Sequence, residues 1–71
     1  MLNPGVYLIV YNIFFKGDSK PLQHKDVFVI RLGEFTTAER CVYNRLRRSV
    51  LFPDIMDYHI VKVYKRMSKE Y

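Results

Sequence analysis

The sequence predicts an α+β fold: β-β-α-β in chain order, a three-stranded antiparallel sheet with one helix packed on one face. Three observations carry this. The run VYLIVYNIFF (residues 6–15) is apolar or aromatic at nine of ten positions. A strand with one wet face alternates; this one is apolar on both faces and belongs at the centre of a sheet. A second apolar alternation follows at residues 27–32, and apolar residues then recur at helical spacing before a last β-rich run.

The first strand spans residues 6–16. Gly17-Asp18-Ser19-Lys20-Pro21 is turn chemistry: Gly allows positive φ, Asp and Ser bond back to the backbone, and Pro denies a ladder donor. The second strand is clearest at 27–32, with a ragged start near Leu22. Phe28, Ile30 and Leu32 share one face, and Val27, Val29 and Arg31 the other. The two strands form a hairpin with a polar tip.

Gly33-Glu34 ends the second strand, and the helix is expected to start at Thr36. Thr36-Thr37-Ala38-Glu39 has the form of a capping box. Arg40 at the fourth helical position leaves the usual hydrophobic staple unmet. Phe35, Ala38, Val42, Leu46 and Ser49 or Val50 form one stripe, with Arg40, Asn44, Arg47 and Arg48 on the opposite side. Pro53 stops the helix by about Leu51. The third strand is expected over residues 58–67. Val61 and Val63 lie on one face, and Tyr58, Ile60, Lys62, Tyr64 and Arg66 on the other. The tail, residues 68–71, is expected to fray.

A central first strand gives the order 2-1-3, since placing the third strand beside the second would leave the most apolar strand at an edge. Within the first strand, Tyr7, Ile9, Tyr11, Ile13 and Phe15 share one face. Val6, Leu8, Val10, Asn12, Phe14 and Lys16 share the other. The first set is assigned to the helix, because Asn12 and Lys16 want water or a partner.

The remaining face is then an uncovered patch, larger than a monomer usually exposes. Val6, Leu8, Val10, Phe14, Val27, Val29 and Ile60 are its candidate dimer-interface residues. Arg31, Lys62 and Arg66 rim it, so a homodimer is expected. One domain of 71 residues has a small core that gains from such help.

Net charge is +5, from twelve Lys and Arg against seven Asp and Glu, which favours acidic partners. Arg40, Asn44, Arg47 and Arg48 on the helix, with Arg45 on its flank, and Lys62, Tyr64 and Arg66 on the third strand are candidate partner-binding residues. Guanidinium groups grip carboxylates or phosphates bidentately. Arg47 and Arg48 also suit the negative end of the helix dipole, which requires no ligand. Tyr58 and Tyr64 with Lys62 and Arg66 offer a stacking platform for RNA or single-stranded DNA, although the pattern of Gly and aromatics that marks RNA-binding sheets is missing.

Catalytic readings are poor. His24, His59 and Cys41 are isolated, with no metal-ligand spacing and no nucleophile–base pair, while Asp54 and Asp57 beside Pro53 read as turn residues. No catalytic residue, metal or cofactor is expected. One cysteine fits a reducing compartment. No apolar run approaches the ~20 residues of a membrane span, and Asn3-Pro4-Gly5 does not suit a signal peptide. A cytoplasmic location, with no membrane partner, is expected.

The segment YLIVYNI (residues 7–13) resembles the opening strand of Cas2-like CRISPR adaptation proteins. Asn12 stands where that family has Asp, however, and the chain lacks room for the family's second β-α-β half, so membership is not adopted. The apolar hairpin, the helix opened by Thr36-Thr37-Ala38-Glu39 and the closing strand HIVKVYK together resemble small phage-encoded host-takeover proteins, of the Dmd-antitoxin or anti-CRISPR kind. The likeness is one of size and β-β-α-β shape, and no functional residue carries over. It implies an inhibitor that occupies a surface on a host enzyme, toxin or defence complex, in the host cytoplasm. The leading expectation is a non-catalytic protein-binding inhibitor or modulator; the alternative is a small basic RNA- or DNA-binding module.

Overall fold

The computed structural model describes residues 1–66. Strands β1 (Gly5–Phe15) and β2 (Leu22–Ile30), helix α1 (Ala38–Arg47), a short 3-10 turn (Phe52–Asp54) and strand β3 (Ile55–Arg66) follow in order. The sheet is antiparallel throughout, in the order β2-β1-β3, with α1 on one face. The apolar run at β1 thus occupies the centre, as its two-sided hydrophobicity requires. Met67 and the tail expected to fray lie outside the described residues.

Tyr7, Ile9, Tyr11 and Ile13 face the helix, as expected, and meet Phe28 and Ile30 of β2 and Ala38, Val42 and Leu46 of α1 in one buried cluster. Ile9 and Val42 are fully buried; a side chain so placed contributes roughly 1.5–3 kcal/mol by leaving water. The N-terminal arm does not fold over the opposite face. It is tied down on the helix side, where the Leu2 amide donates to the Thr36 carbonyl at 2.8 Å. The Tyr7 hydroxyl donates to the Asn3 carbonyl at 2.7 Å.

Two turns depend on glycine. The Asp18 amide donates to the Phe15 carbonyl, and the Glu34 amide to the Arg31 carbonyl. In each turn the third residue, Gly17 or Gly33, takes a φ of 84° or 91°, which glycine adopts without steric cost. The second turn places Leu32 past the strand end, 91% exposed, and so removes it from the face it was expected to share with Phe28 and Ile30.

The helix begins one residue later than the capping-box reading. Thr37 is the N-cap, and its hydroxyl accepts from the Arg40 amide at 3.2 Å. Thr36 instead precedes the helix, with its carbonyl engaged by Leu2. Phe35, two residues before the cap, is consequently off the apolar stripe and 79% exposed. The helix also stops earlier than Pro53 demands. Arg48 is its C-cap, and Ser49 to Leu51 turn away with Val50 in solvent.

Strand β3 corrects a second expectation. Ile9 pairs with Val63 and Val10 with Lys62, but Tyr11 pairs with Ile60, so Val61 is an extra residue opposite β1. This bulge resets the alternation. Tyr58, Ile60 and Val63 all pack against the helix-side core, while Lys62, Tyr64 and Arg66 lie on the other face. Ile60 therefore cannot belong to the open-face interface in which strict alternation placed it. A second irregularity at Met56 sets Ile55 beside Phe15, also on the helix side.

Candidate functional site

The register fixes the composition of the uncovered face row by row. Val29, Val6 and Arg66 form one row, Val27, Leu8 and Tyr64 the next, then Lys25, Val10 and Lys62, then Gln23, Asn12 and His59. The apolar cluster thus lies at one end, where Val6, Leu8, Val27 and Tyr64 with Arg66 and Tyr7 line a hollow of about 330 Å³. Val27 and Val29 are 53% and 61% exposed. Val10 is buried even without a partner, at 7% exposure in the row between Lys25 and Lys62.

Phe14 lies apart from this hollow, beyond the polar row. Its ring packs on His59 at 5.1 Å, and His59 in turn reaches Asp57 at 3.1 Å. Of the seven residues expected at a dimer interface, five (Val6, Leu8, Val10, Val27 and Val29) fall together. Phe14 shares the face at its far end, and Ile60 is on the opposite side. Arg31, expected at the rim, sits in the turn after β2, where its amide donates to the Glu34 carboxylate at 2.6 Å.

The candidate partner-binding residues do not form one surface. Lys62, Tyr64 and Arg66 belong to the open face, with the Lys62 ammonium 5.2 Å from the Tyr64 ring centre. The helix cations are on the other side of the molecule and are themselves divided. Asn44, Arg45 and Arg48 line a groove between α1 and β2. Arg47 turns to the other flank, 5.7 Å from the Tyr43 ring, which meets Phe52 edge-on. Arg40 is exposed.

The groove opens toward the hairpin end into a crevice of about 400 Å³. Its cause is a mismatch of lengths: ten helical residues rise about 15 Å, whereas the eleven of β1 extend more than twice as far. Beyond Arg47 the α-helix no longer covers the sheet, and Ile13, Phe15, Leu22, Leu51 and Ile55 give the crevice its apolar lining. Tyr11, His24, Asp26, Arg45 and Arg48 supply the polar lining.

A tight network anchors that lining. The buried Tyr11 hydroxyl donates to Asp26 Oδ2 at 2.6 Å, and Arg45 Nη1 reaches Asp26 Oδ1 at 3.4 Å while its guanidinium lies 4.8 Å from the Phe28 ring centre. Burial, then the hydrogen bond to the Asp26 carboxylate, push the Tyr11 hydroxyl pKa well above the usual tyrosine value. Tyr58 is also raised, chiefly by burial, and its hydroxyl donates to the Glu39 carbonyl at 3.5 Å. No buried side-chain polar atom among the described residues lacks a partner.

Sequence reasoning missed this network. Its signal was Asp26, a carboxylate on the inward parity of β2 with Phe28 and Ile30; such a group requires a donor. His24 faces Tyr11 across the strands at 5.8 Å between ring centres, and Cys41 Sγ lies 3.8 Å from the Thr36 hydroxyl. Among the described residues no three His, Cys, Asp or Glu side chains gather as a metal site, and no helix is long and apolar enough to cross a membrane. Comparison with protein-family models, curated proteins and solved structures returns no match, so the family of this chain is not identified by likeness.

Proposed function

We propose that this protein is a non-catalytic binding module, an inhibitor or modulator whose open sheet face seats on an apolar, acid-rimmed surface of another protein. The observation that carries this reading is the hollow lined by Val6, Leu8, Val27 and Tyr64, left uncovered by both the helix and the N-terminal arm and flanked by Lys25, Lys62 and Arg66. An apolar centre with a charged rim is the anatomy of a protein interface. The rim cations select carboxylates on the partner and speed encounter. A second copy of the chain would bring the same three cations against their like, so the charge pattern favours an acidic partner over the homodimer. The finer reading, a phage-encoded agent acting on a host enzyme, toxin or defence complex, rests on the whole-chain resemblance alone.

Affinity capture with the wild-type chain and with Val27→Glu tests this. An acidic protein retained by the first and lost by the second supports the reading; retention unaffected by the substitution refutes the docking face. Concentration-dependent dimers abolished by Val27→Glu would replace the acidic partner with a second copy. A gel shift on RNA or DNA that weakens steeply with salt would favour the nucleic-acid module instead.

A further inference from the structure

The crevice at the C-terminal end of α1 lies on the opposite side of the sheet from that docking face and serves no part of it. We propose that it is a binding site for a small amphipathic carboxylate, a molecule with one carboxylate and an aliphatic body.

Three features assign the ligand class. The volume, about 400 Å³, falls in the range of small-molecule pockets. The floor and walls are mostly apolar, from Ile13, Phe15, Leu22, Leu51 and Ile55, which suits a hydrocarbon chain rather than a sugar or a bare ion. The polar lining is cationic once its internal pairing is counted. Asp26 is held by Tyr11 and Arg45, and among the described residues Arg48 has no ion-pair partner, while His24 stands beside Tyr11. A carboxylate therefore meets Arg48, with His24 and the outer edge of Arg45 beside it, and no unpaired acid opposes it.

The length mismatch that creates the crevice also keeps it open. Ser49 and Leu51 line it, in a turn held by the Phe52 amide donating to the Ser49 carbonyl and the Leu51 amide to the Ser49 hydroxyl. The Tyr11–Asp26–Arg45 network fixes the inner wall before any ligand arrives, so little ordering cost remains for binding.

Amide-resolved NMR titration of the full chain with octanoate tests the proposal, with octan-1-ol and inorganic phosphate as parallel arms. Octanoate is expected to move the amides of residues 22–26 and 46–51 saturably. Octanol and phosphate should each bind about tenfold more weakly or not at all, since one lacks the charge-assisted contact and the other the apolar body. Arg48→Gln, at an exposed position, should weaken octanoate about tenfold, and Leu51→Asp should abolish its binding. Leu8→Lys, on the docking face, should leave the titration unchanged, which separates failure of this site from failure of the proposed function. Scattered or open-face shifts, equal binding of octanol or phosphate, or indifference to both crevice substitutions would overturn it.

Discussion

The two faces of β1 begin with nearly the same chemistry and end in different roles. Toward α1, Tyr7, Ile9, Tyr11 and Ile13 are buried, and both tyrosine hydroxyls have an acceptor, Tyr7 in the Asn3 carbonyl and Tyr11 in the Asp26 carboxylate. Away from α1, Val6, Leu8, Asn12 and Phe14 remain partly open, and their neighbours on β2 and β3 grade from apolar at one end to charged and polar at the other. One helix covers one face, and the second face keeps its apolar side chains in one cluster at one end, with Phe14 alone at the other. Burial on the first face is a matter of folding; exposure on the second is what the proposed docking would use.

Substitutions can break or sharpen that contrast. The largest effect is expected for Ile9→Ala, which empties a fully buried site and should cost about 3–5 kcal/mol, read from urea unfolding. Val29→Ala on the open face should stay within about 0.5 kcal/mol of wild type. A comparable loss at both positions would mean that the open face is covered in solution.

Next is Tyr11→Phe, expected to cost about 1–2 kcal/mol by leaving Asp26 without its hydroxyl donor. The same residue gives a pH test. Its folded pKa is raised above the ordinary 10.0, so above that pH the unfolded chain releases a proton that the folded chain retains. The contribution is complete below pH 10 and is lost as pH climbs further toward the folded value. The drop in unfolding midpoint between pH 9 and 11 should be smaller in Tyr11→Phe than in wild type; an equal drop would contradict the network.

A smaller effect separates the two threonines. Thr37→Ala should cost about 1 kcal/mol as a lost N-cap, whereas Thr36→Ala should change thermal stability little, because its backbone carbonyl makes the tie to Leu2. The reverse result would restore the earlier helix start. The smallest change in stability is expected for Tyr64→Glu, within about 0.5 kcal/mol, although it should weaken any partner held at the open-face hollow; circular dichroism and binding measured together check both halves.

Much of the architecture was legible. Asn12 and Lys16 pointed to the wet face of β1, and the order of strands followed from burying the most apolar run. What escaped was whatever depends on one residue of register. Nothing in IVKV announces that Val61 is supernumerary, yet that single insertion sends Tyr58 and Ile60 inward while Lys62, Tyr64 and Arg66 stay on the open face where alternation placed them. Thr36 and Thr37 are chemically equal caps until the Leu2 tie engages the first. Phe35 and Val50 fit the helical stripe but lie outside the helix that would have buried them. The crevice was illegible for a further reason: Tyr11, Asp26 and Arg45 come from three elements and meet only once β2 and α1 are docked.

By itself the sequence determined the number and type of elements and the central strand, because periodicity and two-sided hydrophobicity are local properties of a chain. Between the two apolar faces of β1 it offered only the lean given by Asn12 and Lys16. Tertiary packing alone decided where β3 changes phase, which threonine caps the helix and how far the helix reaches over the sheet. Those outcomes turn on side chains from distant segments competing for the same space and the same hydrogen bonds, a contest that no single segment records.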